Sequence, residues 1–113
     1  MDISQEQLNG VVVVAPRGRI DSTTSGTLEA HLLNLSKTPQ PRIVVDFTNV
    51  DYISSAGLRV MLTLAKRVRD ARGALALCSL GETVRQVFEL AGFLPLFTIE
   101  SSRDVAVRAV GER

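Results

Sequence analysis

Two adjacent serines, Ser54 and Ser55, lie where an apolar run changes into a helical pattern. The apolar run at 43–47 reads Ile-Val-Val-Asp-Phe, and Ala56 and Gly57 follow the serines. A serine is a favoured helix N-cap, so the simplest interpretation is that these four residues only start a helix close to a strand end. One hydroxyl is enough for a cap, however, and the second has no bulky neighbour. We therefore predict that Ser55 is open to a kinase or to the backbone of a partner.

Phosphorylation is the chemistry that such a hydroxyl could support. A phosphate on Ser55 would add about −1.5 to −2 charges at the positive end of a helix, where the free protein tolerates it. A partner surface that fits the unphosphorylated site would be opposed by the same charge, through repulsion and through the cost of removing water from the phosphate. The pattern therefore indicates a two-state switch of binding.

A catalytic set is not evident in the sequence. The single histidine, His31, falls in phase with the apolar face of a predicted helix, which is typical of a structural histidine. A hydrolase could be imagined from Ser55, His31 and Asp21, but nothing in the sequence places His31 beside Ser55. No Cys/His grouping has metal-ligand spacing, and no glycine-rich phosphate loop occurs. We therefore predict no enzyme activity, no catalytic residue, no cofactor and no metal.

Charge and composition narrow the possible partners. Thirteen basic and twelve acidic residues give a net charge of +1, which argues against nucleic acid as a partner. The densest basic cluster falls on a predicted helix, is interrupted by Asp70, and is expected to be a solvated face; it comprises Lys66, Arg67, Arg69 and Arg72.

No apolar run is long enough to span a membrane, and the N-terminus has no signal-peptide character, so we expect a soluble, cytoplasmic protein. The single cysteine, Cys78, ends an apolar run at 74–78 and is expected to be a buried thiol in a reducing compartment.

Hydrophobic periodicity predicts a single α/β domain over residues 1–113, in the order β-β-α-β-α-β-α-β-α. Asn9-Gly10 is a strong hairpin turn between the first two strands, so the sheet should be mixed but mostly parallel, with four to five strands and about four helices. The Pro-Arg-Gly-Arg stretch at 16–19 is predicted to end the second strand, and 48–53 to be mainly loop. The strands are predicted at 3–8, 11–15, 42–47, 74–78 and 97–99, and the helices from the cluster at 20–25 to Lys37, at 54–72, at 81–91 and after Ser101.

Three segments together resemble the STAS domain, a module shared by sulphate-transporter tails and anti-sigma factor antagonists. They are Gly-Arg-Ile-Asp at 18–21, Ile-Val-Val-Asp-Phe at 43–47 and Tyr-Ile-Ser-Ser-Ala-Gly-Leu-Arg-Val at 52–60. Element order and spacing match over essentially the whole chain. Because no membrane region is present, the chain is similar to the stand-alone bacterial antagonists rather than to a transporter tail.

The resemblance implies a regulator of transcription in a partner-switching pathway. In that family, the unphosphorylated antagonist binds an anti-sigma factor that is also a serine kinase, and this binding frees the sigma factor. The kinase phosphorylates the antagonist and thereby releases it, and a metal-dependent serine phosphatase resets it. The implied partners are therefore this kinase and this phosphatase, with no nucleic acid and no membrane.

The family motif, Asp-Ser-Ser/Thr-Gly, places the phosphorylated serine on Ser55 and the glycine on Gly57. Two positions depart from it, since Ser54 stands where an aspartate is usual and Ala56 where a second hydroxyl is usual. The missing aspartate could alter kinase recognition, and Ser54 is a second candidate acceptor. Asp21 matches an acidic residue before the first helix of the family, although a helix-cap carboxylate explains it equally well.

The predicted partner-binding surface combines the start of the second helix with the loop before the first helix. It comprises Asp21, Ser22, Thr23, Ser54, Ser55, Ala56, Gly57 and Arg59, with Val60 and Thr63 as candidates from the next exposed turn. The alternative to a phosphorylated antagonist is an unphosphorylated STAS scaffold or a lipid-transport subunit, and a small serine hydrolase ranks below both. Leu94, Leu96 and Phe97 could be core or a dimer contact, so the chain is expected to be a monomer or a weak dimer.

Overall fold

The structure, a computed structural model, describes residues 1–111. Six strands and four helices alternate along the chain, with one short 3₁₀ turn at Leu94–Leu96. The strands are β1 (Asp2–Leu8), β2 (Val11–Ile20), β3 (Arg42–Asp46), β4 (Val50–Ile53), β5 (Ala74–Cys78) and β6 (Thr98–Glu100). The helices are α1 (Ser25–Leu35), α2 (Ser55–Asp70), α3 (Glu82–Leu90) and α4 (Arg103–Gly111).

The sheet is mixed and mostly parallel, as predicted. Its order is β1-β2-β3-β5-β6, with β1 antiparallel to β2 and every other pair parallel. The predicted count of four to five strands was wrong, because β4, which pairs with the end of β2, was taken for loop. Four residues with only Val50 and Ile53 buried give too short an alternation to distinguish from a turn.

Strand β2 continues beyond its predicted end and serves two partners. Its first half pairs with β3, with Val12 opposite Ile43. Gly18 then adopts a φ of +99°, and the register shifts there. Beyond this irregularity the strand resumes and pairs with β4, so that Ile20 lies opposite Ile53. Because glycine adopts a positive φ without steric cost, it allows a strand to bend and continue where the sequence suggested a stop.

The two faces of the sheet bury separate apolar clusters. Val14, Ile43 and Leu77 belong to the larger cluster, beneath α1, α2 and α3. Val13, Val44 and Cys78 belong to the smaller one, beneath α4. Side chains alternate between faces along a strand, so these central strands are apolar throughout. The predicted burial of Cys78 is confirmed, and burial raises the pKa of its thiol to about 11.

The four helices over residues 1–111 pack against this sheet, and none of them is long and apolar enough to cross a membrane.

A buried carboxylate joins three elements at the end of β3. Asp46 is 4% exposed and accepts hydrogen bonds from the amide and hydroxyl of Thr48, at 2.9 and 2.6 Å. The guanidinium of Arg103, in the first turn of α4, donates to Asp46 at 2.8 and 2.9 Å and also pairs with Glu6 of β1. Burial alone would raise the pKa of Asp46, but the Thr48 and Arg103 hydrogen bonds outweigh it and hold the pKa below its ordinary value.

The start of α2 lies in direct contact with the ends of β2 and β4. Gly57 is buried, and a Cβ placed on it would lie 2.6 Å from Cγ1 of Ile53 and 2.7 Å from Cγ2 of Ile20. Both isoleucine side chains are fully buried and cannot move into solvent. The hydrogen atom of glycine at this position therefore sets how closely the helix approaches the sheet.

We predict that Gly57→Ala destabilises the protein by about 1–3 kcal/mol, because the added methyl overpacks a closed core. Gly26→Ala is the matched control, since Gly26 also lies in a helix and a Cβ placed on it would have no neighbour within 4 Å. The control should be neutral or stabilising by up to about 1 kcal/mol. Urea unfolding of both variants measures the difference, and equal stability would contradict the close-contact role of Gly57.

We predict that Asp46→Asn lowers stability by about 1–3 kcal/mol at neutral pH, because it removes a charged acceptor from Arg103. The pKa of Asp46 is lower in the folded protein, so its contribution is present above the unfolded value of 3.8 and is lost as the pH falls through the folded value. The stabilities of wild type and variant, measured by thermal unfolding, should therefore converge as the pH falls below the folded pKa of Asp46. Asp51→Asn, at an exposed position of β4, is the control and should change stability by less than about 0.5 kcal/mol at either pH.

Candidate functional site

Ser54 caps α2 and ties it to β2. Its amide donates to the carbonyl of Ile20 at 2.8 Å, and its hydroxyl oxygen accepts from the amide of Gly57 at 3.3 Å. The hydroxyl thereby satisfies one of the free amides of the first turn, as an N-cap does. Ser54 is half-buried and its oxygen is occupied within the domain.

Ser55 is the first residue of α2 and is exposed. Within residues 1–111, no hydrogen bond engages its hydroxyl, and the small Ala56 beside it leaves the approach open. The first turn of α2 carries no acidic residue, so the partial positive charge of the helix terminus is not neutralised locally. The arrangement presents a free hydroxyl where an added anion is electrostatically favourable.

The loop between β2 and α1 adjoins this helix start through the Ile20 carbonyl and is organised by Asp21. The Asp21 carboxylate accepts from the hydroxyl and amide of Thr23 at 2.7 and 3.0 Å, and from the amide of Thr24 at 3.3 Å. The Thr23 hydroxyl is the largest cause of a lowered pKa at Asp21, so this carboxylate is charged at neutral pH. These bonds close the turn that precedes α1, whose N-cap is Thr24, and Ser22 and Thr23 are exposed beside the carboxylate.

Arg19 and Tyr52 form a pair that the sequence patterns did not single out. The Arg19 guanidinium carbon lies 4.4 Å from the centroid of the Tyr52 ring, and Nε lies 3.7 Å from Oδ2 of Asp21. The two residues are register partners in β2 and β4, one position before the paired strand ends. Their pairing depends on β4, so only recognition of that strand could have revealed them. They place a cation–π contact and an ion pair beside the Asp21 loop.

The remaining predicted site residues divide between surface and interior. Arg59 is exposed, whereas Gly57 is buried against Ile20 and Ile53 and so shapes the site from within. The candidate placement of Val60 on an exposed turn was wrong, because its side chain faces the core and is 5% exposed. Thr63 is half-buried and donates its hydroxyl to the carbonyl of Arg59 at 3.0 Å.

The residues imagined as a hydrolase triad do not contact one another. Nε2 of His31 lies 2.6 Å from Oε1 of Gln5 in β1, and the Asp21 carboxylate is engaged by its own loop. In the described part of the chain, no hydrogen bond links Ser55 to either residue. The same residues hold no cluster of three or more His, Cys, Asp or Glu side chains that could bind a metal ion.

Comparison with known sequences identifies the family. The STAS domain profile matches residues 2–106. The "Putative anti-sigma factor antagonist BtrV" of Bordetella bronchiseptica is 39% identical over 109 residues, covering 96% of this chain and 94% of that protein. The anti-sigma F factor antagonist of Paenibacillus polymyxa is 27% identical over 113 residues, covering 99% of this chain and 94% of that protein.

A solved structure agrees with these sequence matches. An anti-sigma factor antagonist from Mycobacterium paratuberculosis aligns with a TM-score of 0.87 and 26% identity, covering 96% of this chain and 92% of that one. Sequence and fold thus match across almost the full length of both proteins. The chain belongs to the STAS domain family, and its relatives of matching length carry the name anti-sigma factor antagonist.

Proposed function

We propose that the protein is an anti-sigma factor antagonist whose binding is controlled by phosphorylation of Ser55. The observation that carries the proposal is the free, exposed Ser55 hydroxyl at the N-terminus of α2. The names of the relatives support the anti-sigma factor as the class of partner. In its unphosphorylated form the protein binds an anti-sigma factor with serine kinase activity in the cytoplasm and frees the sigma factor.

The contact surface is the start of α2 together with the adjoining β2–α1 loop. Its exposed members are Ser22, Thr23, Ser55 and Arg59, with Asp21, Ser54 and Ala56 half-buried beneath them. Gly57 supports this surface from inside, because its missing side chain lets the helix start rest on Ile20 and Ile53. The surface consists mainly of small and polar residues. Because little side-chain bulk surrounds the acceptor hydroxyl, the partner's backbone can approach it.

Charge is the switching element. A phosphate on Ser55 is tolerated in the free protein by the exposed amides and positive end of α2. Against a bound partner, the same negative charge meets a closely packed surface and loses hydration, so the complex dissociates. A serine phosphatase removes the group and restores binding.

Ser55 is the better acceptor of the two serines. The oxygen of Ser54 accepts a bond from the Gly57 amide and is half-buried, whereas that of Ser55 faces solvent. The aspartate usual at position 54 of the family is absent, and we propose that charged Asp21 on the neighbouring loop supplies the local negative charge to the kinase instead.

We predict that Ser55→Asp weakens binding to the cognate anti-sigma kinase by about 2–4 kcal/mol, because it introduces a charge into a desolvated contact. Ser55→Ala should bind as tightly as the unphosphorylated protein and should not respond to ATP. Isothermal titration calorimetry measures both affinities. Ser101→Asp is the matched control, since Ser101 is an exposed serine that precedes α4. It follows β6, the edge strand that lies three strands or about 14 Å from β2. Equal affinities of the two Ser55 variants would refute the switch.

We predict that incubation with the anti-sigma kinase and ATP adds one phosphoryl group, about 80 Da, to the wild-type protein and none to Ser55→Ala. Ser54→Ala should still be phosphorylated, although loss of the cap should cost it about 1 kcal/mol of stability. Intact-mass spectrometry detects the product. An unmodified wild-type protein that still binds the kinase would favour the unphosphorylated scaffold function over the proposal.

A further inference from the structure

A second concave surface lies at the opposite end of α2 from Ser55. It is a groove of about 670 Å³ between the second half of α2 and the β5–β6 edge of the sheet, which we call the α2–β6 groove. Its apolar lining comes from both walls: Leu62 and Ala65 on the helix, and Leu75, Leu96 and Phe97 on the sheet side. Leu96 is 54% exposed, which is a large apolar exposure for a residue in a concave site.

Three cations rim the groove and no carboxylate lines it. Lys66, Arg69 and Arg72 are all exposed there. Lys66 and Arg69 continue the stripe of Leu62 and Ala65 along α2, with the i, i+3, i+4, i+7 spacing of one helix face. Since the whole chain carries a net charge of only +1, this cationic rim is a local concentration rather than a general excess.

The rim charges are available to a partner. Arg69 pairs with Asp70 at 3.5 Å, but both side chains are more than 70% exposed, and such surface pairs contribute little free energy. Within residues 1–111, no ion pair engages Lys66 or Arg72. An incoming carboxylate therefore has at most one weak intramolecular competitor.

We propose that the α2–β6 groove docks an acidic amphipathic helix of another protein, whose apolar face covers Leu62, Leu75 and Leu96 and whose carboxylates meet the three rim cations. Charge complementarity selects this occupant. A second copy of the chain fits poorly, because a two-fold contact would bring the same cationic rims against each other. A nucleic acid would leave the apolar lining without a matching surface.

The groove is independent of the Ser55 surface. The nearest rim cation, Lys66, lies eleven residues after Ser55 on the same helix, which corresponds to about 17 Å. A phosphate on Ser55 is therefore screened from the rim at physiological salt. This docking goes beyond the proposed switch: a partner held in the groove stays bound whether or not Ser55 is phosphorylated, and so keeps the antagonist localised in both states.

Fluorescence anisotropy with designed peptides tests the proposal. The probe is a labelled Leu/Glu amphipathic helix of about 16 residues, compared with a Leu/Lys peptide of the same pattern and a Ser/Glu peptide without leucine. We expect the full chain to bind the Leu/Glu peptide at least about tenfold more tightly than either comparison peptide, with affinity falling as salt is raised. Equal binding of the three peptides, or no binding, overturns the proposal.

Substitutions in the protein test whether the Leu/Glu peptide binds in the α2–β6 groove. Lys66→Glu combined with Arg72→Glu should weaken the Leu/Glu peptide at least about tenfold. The control combines Arg67→Glu with Arg85→Glu, two exposed positions outside the groove that give the same change in net charge, and it should alter affinity less than about twofold. Leu96→Ser tests the apolar lining and should weaken binding without changing the circular dichroism spectrum. If control and groove variants lose affinity equally, the effect is one of net charge and the proposal fails.

Two further measurements test whether the groove is independent of Ser55 and whether a membrane is its occupant. Ser55→Asp should bind the peptide within about twofold of wild type, and a larger loss would overturn the independence of the two surfaces. Sedimentation with anionic phosphatidylglycerol vesicles tests a membrane as occupant. If the wild-type protein binds the vesicles but not the peptide, and Lys66→Glu/Arg72→Glu abolishes the vesicle binding, a membrane replaces the proposed partner. Failure of the groove arms leaves the Ser55 prediction intact, because that prediction is read from the kinase complex.

Discussion

The missing side chain at Gly57 is the constraint on which the site depends. A Cβ at this position would fall inside the van der Waals contact distance of Ile20 and Ile53, so α2 can begin directly against the ends of β2 and β4 only with glycine there. The close approach in turn brings the Ser54 amide to the Ile20 carbonyl at 2.8 Å. That bond couples the helix start to the β2–α1 loop. Surface and core are thus linked through one residue that has no side chain.

A second constraint acts on β2, which must reach both β3 and β4. The strand needs ten residues to do so, and the irregularity at Gly18 turns its end toward β4. Without that extension, Ile20 would not lie opposite Ile53, and the two loops that follow these strands would not adjoin. The network of buried Asp46 with the partly exposed Arg103 and Glu6 joins β3, α4 and β1. This network ties the sheet to α4, on the face opposite to α2, and leaves the Ser55 hydroxyl uninvolved.

The sequence predicted most of the fold because its signals are local and strong. The hairpin at Asn9-Gly10, the apolar strands and the apolar stripe of α2 needed no tertiary information, and the mostly parallel sheet followed from their order. Strand β4 and the end of β2 were missed because their pairing is non-local: each is stabilised mainly by the other. For the same reason the Arg19–Tyr52 contact could not be predicted, since it exists only where those two strands pair. The surface position expected for Val60 was wrong because Val60 shares the buried face of α2 with Gly57 and Leu64.

Residue type and residue environment also answer different questions about the site. The sequence predicted Ser55 as the acceptor with Ser54 as a second candidate, and the geometry distinguishes their environments: the Ser54 oxygen accepts from the Gly57 amide and the Ser55 oxygen, within residues 1–111, does not. Phosphorylation of Ser54 would alter an atom that the domain already uses, since the Ser54 oxygen accepts from the Gly57 amide. Modification of Ser55 adds charge to the same positive terminus while leaving the cap in place. In the proposed switch Ser55 is therefore the better acceptor, because within residues 1–111 its hydroxyl takes part in no hydrogen bond that modification would break.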